Sequence, residues 1–313
     1  MCIINASLRT GYFPLVWRKA IISRLLKKSG LDESAPGNYR PASNVTFLSK
    51  VLERIVHQQM SSYLIVNKLM IEFQSAYWPG HSTETAVVKV FSNIIDEIDK
   101  GQLALLSLLD LSAAFDTIDH PILRQRLQRS FEVDGIAIQW FNLYLTERTQ
   151  SVYLAGEMTA PRKLVCGVPQ GSVLGPLLFI LYTVDIGLLI RTHGLLYHCY
   201  ADDTQIYFFC QPTECDALKF KVIACISGMA GWMKSNRLKL NMSKSEFVWC
   251  ATTRHLHLAD MTPFHLNDGD VTSALSIRNL GAYFDANIDM TTHIKQLVQA
   301  SFYQIRRICA IRR

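Results

Sequence analysis

Several signatures are missing from this 313-residue sequence, and each absence removes a class of protein. Its eight cysteines form no Cys-x-x-Cys pair and have no partnered histidine spacing, so a zinc module is not expected. His57, His81, His120, His193 and His198 likewise fall at no metal-ligand spacing and read as structural or surface residues. No internal repeat and no low-complexity tract occurs, which excludes solenoids. Met1 to Trp17 lacks the uninterrupted apolar core of a signal peptide, and the longest apolar stretch, Leu177 to Ile190, is broken by Asp185 and too short to span a bilayer. Charged residues are only 19% against 49% hydrophobic, so the chain buries a core and is not disordered. With Cys166, Cys199 and Cys210 inside apolar runs as free thiols, the expectation is a reduced, soluble, intracellular protein, with nucleus and cytoplasm both open.

The net charge of +6 is unevenly spread. Residues 1–60 hold nine basic and three acidic residues, and 290–313 hold five basic and none acidic, which leaves an acidic middle. An acidic centre between basic ends suits a site that holds metal ions while its flanks meet a polyanion; two solvated basic ends would look the same.

The pattern up to about residue 103 is helical and basic, with one loop from Asp32 to Pro41 and helices expected at Ser49 to Tyr63 and Thr85 to Ile98. The basic cluster Arg18-Lys19, Arg24, Lys27-Lys28 is spaced like a helix face. Leu103 to Leu111 is a short apolar run, as in a strand covered on both faces. Asp119-His120-Pro121 starts a helix to about Ser130, and Trp140 to Tyr144 is a further helical turn. Gln150 to Leu154 and Lys163 to Cys166 bracket a Gly156 turn as a hairpin. Gly167 to Pro176 is a Gly/Pro-rich loop feeding a helix from Leu177 to Ile190. Leu195 to Ala201 and Thr204 to Cys210 are strands meeting at Asp202-Asp203, followed by a helix (Asp216 to Met233) and a strand (Ser245 to Ala251). That order reads as α+β with a split βαβ sheet.

Asp110 ends one strand and Asp202-Asp203 tip a hairpin, so pairing the two strands would gather three carboxylates at one sheet edge. Such a trio cannot stay ionised without cations, and hard oxygen ligands select Mg²⁺ or Mn²⁺. Two such ions serve an in-line phosphoryl transfer. Taken alone, an Asp-Asp pair is more often an exposed turn.

The neighbouring residues decide between these readings. Leu109-Asp-Leu-Ser-Ala-Ala-Phe-Asp116, Gly167-Val-Pro-Gln-Gly-Ser172 and Tyr200-Ala-Asp-Asp203 resemble, in order and spacing, the motifs of reverse transcriptases. Asn38-Tyr-Arg-Pro41, Phe47-Leu-Ser-Lys50, Gln74 to Thr85, Asn241 to Glu246 and Asn279-Leu-Gly281 extend the likeness to non-LTR retrotransposons of the long interspersed element type, chicken-repeat-like branch. Group II intron maturases and telomerase-type polymerases share the palm, but the wording at 38–41 and 74–85 favours the retrotransposon branch.

The resemblance implies an RNA-directed DNA polymerase, a nucleotidyltransferase using two Mg²⁺ ions (Mn²⁺ as a substitute), an RNA template, a DNA primer and deoxynucleoside triphosphates. It makes Asp110 and Asp202 the metal ligands, with the Leu111 carbonyl and Asp203 in support. Phe115 becomes a steric gate against a 2′-hydroxyl, Arg40 grips the triphosphate, and Gln170 and Gly171 meet the nucleotide. Lys244 becomes the general acid for the pyrophosphate leaving group, and Asn279, Leu280 and Gly281, with Tyr283 and Phe284 beside them, the primer grip. The helix from Met290 to Ile308, with basic residues at 295, 306 and 307, resembles the start of the thumb.

The implied architecture is a right-hand polymerase with helical fingers (1–104 and an insertion, 135–165). Its palm is 105–134 plus 166–275, and 276–313 is the primer grip and the start of a truncated helical thumb. Neither an endonuclease domain nor the rest of the thumb is expected in this chain. Trp78 departs from the pattern, standing where many relatives carry Arg in Phe-Arg-Pro-Gly. That loss of a phosphate-pairing charge motivates the alternative, a catalytically silent nucleic-acid-binding remnant of a decayed element.

Overall fold

The computed structural model describes residues 2–28, 30–70, 72–154, 156–266 and 269–312, so the outermost limits of the expected segments, 1 and 313, lie outside it. After α1 (Cys2–Thr10), strands β1 (Lys19–Leu26) and β2 (Tyr39–Val45) follow. α2 (Phe47–Val66) starts behind Thr46, whose hydroxyl accepts from the Ser49 N–H, and α3 (Thr83–Ile98) behind a reciprocal Ser82–Thr85 capping box. β3 (Leu103–Leu111) precedes α4 (His120–Arg129), which Asp119 caps with Pro121 in its first turn. Next come α5 (Gly135–Leu145), β4 (Arg148–Leu154), β5 (Glu157–Met158), β6 (Arg162–Leu164), α6 (Gly175–Tyr182) and α7 (Asp185–Thr192). The remainder is β7 (Leu196–Tyr200), β8 (Asp203–Cys210), α8 (Cys215–Ser235), β9 (Leu240–Cys250), the pairs β10 (Phe264–Leu266) with β11 (Gly269–Val271) and β12 (Ser276–Asn279) with β13 (Ala282–Asp285), and α9 (Thr291–Ile311).

These elements gather into two compact units. The first comprises Met1–Glu72, Ala113–Val184 and Met233–Lys239. Its sheet runs β2-β1-β4-β5, with β6 also paired to β4; β1 is antiparallel to β2 and parallel to β4. An aromatic cluster anchors this unit: Phe13 is fully buried, edge-on to Trp140 and Tyr144 at 5.3 Å each, and Trp140 stacks on Tyr144. The Trp140 indole N–H donates to Ser7 Oγ at 3.1 Å, which satisfies its polar edge.

The β1–β2 pairing corrects the helical reading of the stretch before residue 103. The basic cluster that suggested a helix face straddles β1, which holds Lys19 and Arg24 and whose first residues alternate exposed and buried while Ile21 and Leu25 stay exposed. Apolar side chains on both faces hid the two-residue period, and the partner strand β4 lies far along the chain. The expected hairpin near Gly156 is present, with Gln150 opposite Arg162 and Leu154 opposite Glu157.

The second unit comprises Phe73–Ser112, Asp185–Trp232 and Leu240–Arg313. Its antiparallel sheet has the order β7-β8-β3-β9, so β3 is hydrogen-bonded on both sides, as its continuous apolar run requires. One core packs Val90, Ile94 and Ile98 of α3 against Ala104 and Leu106 of β3, Tyr207, Val248, Ile277 and Phe284. The helix expected at 290–308 is α9, and none of its described residues is buried.

The compact units cut the chain differently from the expected segments: 73–104 goes with the carboxylate sheet, and 113–134 and 166–184 go with the first unit. The stretch Gly175–Thr192 is long and apolar enough to cross a bilayer by length and composition, contrary to the sequence expectation. It is, however, broken into α6 and α7, and every residue of α6 is buried except Pro176. Cys210, Cys215, Cys225 and Cys250 are buried free thiols, whereas Cys166 and Cys199 are half-buried.

Candidate active site

Three strands of the second unit carry the charged groups. In the β3–β8 register Leu109 stands opposite Thr204, so Asp110 and Asp203 lie one step further on, at the same end of adjacent strands. On the other side of β3 the register slips between Leu108, opposite Glu246, and Asp110, opposite Asn241. The extra residues bulge out of β9 and carry Lys244 over Asp110, where Nζ donates to Oδ2 at 2.8 Å. Leu111 ends β3 opposite Leu240.

A cavity of about 240 Å³ opens at this sheet end, lined by Asp110, Asp203, Lys244, Glu246, Arg278, Asn279 and Leu280 among others. Five sequence-predicted residues from four blocks thus share one cavity: Asp110, Asp203, Lys244, Asn279 and Leu280. Asn279 is buried, and its amide donates to Gln205 Oε1 at 2.9 Å. Leu280 and Gly281 both have positive φ and form the two-residue turn between β12 and β13, the turn that suits a twisted hairpin.

Asp202 does not line the cavity, but its charge is felt there. Burial, with the charges of Asp202 and Asp110, pushes the Asp203 carboxyl up to about 6, partly offset by Lys244. The hairpin turn differs slightly from expectation. Tyr200 pairs with Asp203, so the loop residues are Ala201 and Asp202 and Asp203 already belongs to β8. Tyr77, near this tip, has its phenol pKa raised by burial and then by Asp202, Tyr200 and Asp203.

Among the described residues no group of three or more His, Cys, Asp and Glu side chains is set so that it could by itself hold a metal ion. The donors of this edge nevertheless suit a hard cation: Asp203, whose pKa is raised by burial and by the neighbouring charges of Asp202 and Asp110, with a lysine as the nearby positive charge.

The first unit holds the other predicted residues. Arg40 is exposed on β2, opposite Leu25. Phe115 is half-buried, with its ring 5.0 Å from that of Phe179. Gln170 donates through Nε2 to Asp116 Oδ2 at 2.9 Å, and its carbonyl accepts from the Ser43 N–H at 2.7 Å. Burial raises the Asp116 pKa and the Gln170 bond lowers it.

The loop needs its glycines because backbone meets backbone. A Cβ on Gly167 (φ +81°) would lie 2.7 Å from the Asp116 carbonyl oxygen, and one on Gly171 (φ +102°) 3.2 Å from that of Ser43. Further fasteners surround it: His120 Nε2 donates to the Gly167 carbonyl at 2.7 Å, and buried Glu53 accepts from the Val173 and Leu174 N–H groups at 2.7 and 3.3 Å. A cavity of about 420 Å³ in this unit is lined by Ser43, Asp116, Arg148, Lys163 and Gln170, but not by Arg40, Phe115 or Gly171.

Three residues with evident work were quoted within motifs or passed over. Asp116 orients Gln170, Glu53 holds the loop leading into α6, and Gln74 grips the carboxylate hairpin. Asp116 and Gln74 sit inside the recognised blocks, and that membership was the available signal; nothing local marks Glu53 as a buried carboxylate. Trp78 is buried at 5% exposure, so this position faces the protein interior.

In fold, the chain is similar to telomerase. It aligns with apo telomerase of Candida tropicalis truncated from the C-terminal domain at a TM-score of 0.59, with 14% identity, covering 87% of this chain and 54% of that one. It aligns with telomerase of Candida albicans, solved with a fragment of telomeric RNA, at 0.57 and 13% identity, covering 86% and 46%. Residues 25–284 match the family described as reverse transcriptase (RNA-dependent DNA polymerase), and the chain belongs to that family.

Its similar relatives include the probable RNA-directed DNA polymerase from transposon BS of Drosophila melanogaster, 26% identical over 98% of this chain and 34% of that protein. The polymerase from mobile element jockey of the same fly is 26% identical over 98% and 33%, and that from transposon X-element is 26% identical over 94% and 32%. The chain therefore spans about a third of the length of the curated relatives it matches.

Proposed function

We propose that this chain is the polymerase part of a retrotransposon protein, an RNA-directed DNA polymerase that adds deoxynucleotides to a primer 3′ end on an RNA template. The observation that carries the reading is the meeting of Asp110, Asp203, Lys244 and the 279–280 turn around one cavity. Membership of the reverse transcriptase family supports it.

Asp110, Asp202 and Asp203 would hold two Mg²⁺ ions, which when bound lower the pKa of the attacking hydroxyl and neutralise the departing pyrophosphate. Lys244 is within proton-transfer reach of the same edge and would protonate that leaving group. Its ammonium bonds an oxygen that a cation would also seek, so ion binding and lysine release are linked. Asn279, Leu280 and Gly281 would hold the primer end through the rigid turn. For Arg40, Phe115, Gln170 and Gly171 the resemblance assigns the triphosphate, the sugar and the base. A cellular interior, nucleus or cytoplasm, is the setting that goes with this chemistry.

Primer extension on poly(rA)/oligo(dT) with Mg²⁺ tests the proposal. The chain incorporates deoxythymidine, and Asp202→Ala lowers the rate by about 10²–10³-fold, as expected on removing a charge-stabilising group. Equal incorporation by both would remove the assigned site. Salt-dependent RNA binding without metal-dependent synthesis would establish the silent remnant instead.

A further inference from the structure

The turn that presents Asp202 and Asp203 is held from outside its own hairpin. Ala201, the first loop residue, has φ +56°, a left-handed conformation that non-glycine residues seldom adopt. Gln74 grips both polar groups of that residue. Its Oε1 accepts from the Ala201 N–H at 3.0 Å, and its Nε2 donates to the Ala201 carbonyl at 3.2 Å. The same Oε1 accepts from the Ala76 N–H at 3.0 Å, which fixes the side chain against its own backbone.

Gln74 is itself buried and tied to β7. It forms a parallel bridge with Cys199, whose N–H donates to the Phe73 carbonyl at 2.7 Å and whose carbonyl accepts from the Ser75 N–H at 3.0 Å. The Ser75 hydroxyl adds a bond to His198 Nε2 at 2.8 Å. A buried primary amide matched to both the N–H and the carbonyl of one residue is a clamp, and the residue it clamps immediately precedes Asp202.

We propose that Gln74 is a positioning residue: it fixes the left-handed Ala201 and so sets the direction in which Asp202 and Asp203 present their carboxylates. This role rests on the polymerase reading, since only there does carboxylate direction matter. Gln74 does not line the cavity between Asp110 and Asp203. Its effect travels through one turn, and glycine at 201 would make that effect dispensable because glycine adopts this φ freely.

The test compares the full chain with Gln74→Met, which keeps the volume and loses the clamp, and with the double variant carrying Ala201→Gly as well. Two quantities are read: hydrogen exchange across 197–206, and the Mg²⁺ dependence of primer extension. Gln74→Met is expected to speed exchange of the hairpin amides and to raise the half-saturating Mg²⁺. It should also lower kcat by about 10–100-fold with little change in KM for the template–primer. Ala201→Gly is expected to restore most of the lost synthesis.

Unchanged exchange in Gln74→Met, or faster exchange with wild-type synthesis, would overturn the proposal, as would an absence of rescue. Wild-type protein that synthesises nothing while exchange still responds would defeat the polymerase reading and leave the clamp as a feature of the fold alone, which also overturns its positioning role. If Gln74→Met does not fold by circular dichroism, Gln74→Glu takes its place. It keeps the accepted bonds and loses the donated one at neutral pH.

Discussion

The two units present their functional groups by different means. In the second unit the charged groups other than Asp202, which stands in the β7–β8 turn, stand on the strands themselves: Asp110 on β3, Asp203 on β8 and Lys244 in the bulge of β9. In the first unit, apart from Arg40 on β2, they stand on loops, and each loop is tied down by side chains with no evident chemistry of their own, Glu53 and His120 above all. Strands spaced by hydrogen bonds fix a position within the tolerance that metal-bridged chemistry demands, whereas a loop reaches that precision only when its backbone is fastened.

The comparison is broken most decisively at Asp110. Asp110→Asn keeps the shape of β3 but removes a charge and the partner of Lys244. Synthesis should fall by about 10³-fold in a primer-extension assay. Template–primer affinity at low salt should change little, because phosphate contacts dominate it. A parallel loss of affinity would mean that the carboxylate edge organises binding as well as chemistry.

In the first unit the largest effect is expected at a residue with no role in chemistry. Glu53→Ala strips the partner from two backbone N–H groups and from the Ser49 hydroxyl, all in a buried place. The cost should be about 2–3 kcal/mol, read as a lower midpoint in urea unfolding, with synthesis reduced through the loosened loop. Phe115→Val tests the same unit more gently. It shortens the ring that packs on Phe179, so the preference for deoxy- over ribonucleotides should drop by about tenfold in competition assays while the fold persists.

The same contrast explains what was legible in the sequence. The second unit's sheet was readable because β3 is a continuous apolar run and because β7 and β8 flank an acidic turn. The motif blocks then gave Asp110, Asp203, Lys244 and Asn279, and all four line one cavity. Of the first unit's sheet, the hairpin near Gly156 is legible, whereas β1 reads as helix because it exposes Ile21 and Leu25 and takes its parallel partner from beyond residue 147. Fasteners were the least legible of all. Glu53 looks like any acidic residue on a helix, and Gln74 like any polar residue in a loop, until the distant N–H groups they accept from are in place.

The smallest expected effect concerns Asp203, and its sign separates a functional edge from a merely stable one. Because burial, and then the charges of Asp202 and Asp110, raise this carboxyl from 3.8 to about 6, the folded chain favours its protonated form. The stability from that preference is complete below about pH 4 and fades as pH rises through 6. Asp203→Asn is neutral at every pH, so in chelator it should melt about 1–2 °C above the parent at pH 7.5, modest because solvent reaches part of the residue and screens the charges, and level with it near pH 3.5. Saturating Mg²⁺ should reverse the order at pH 7.5, since the cation stabilises only the chain that keeps its charge. A variant that is more stable without metal and less stable with it would show that the carboxylates of β3 and β8 are held together at a cost that only a bound cation removes.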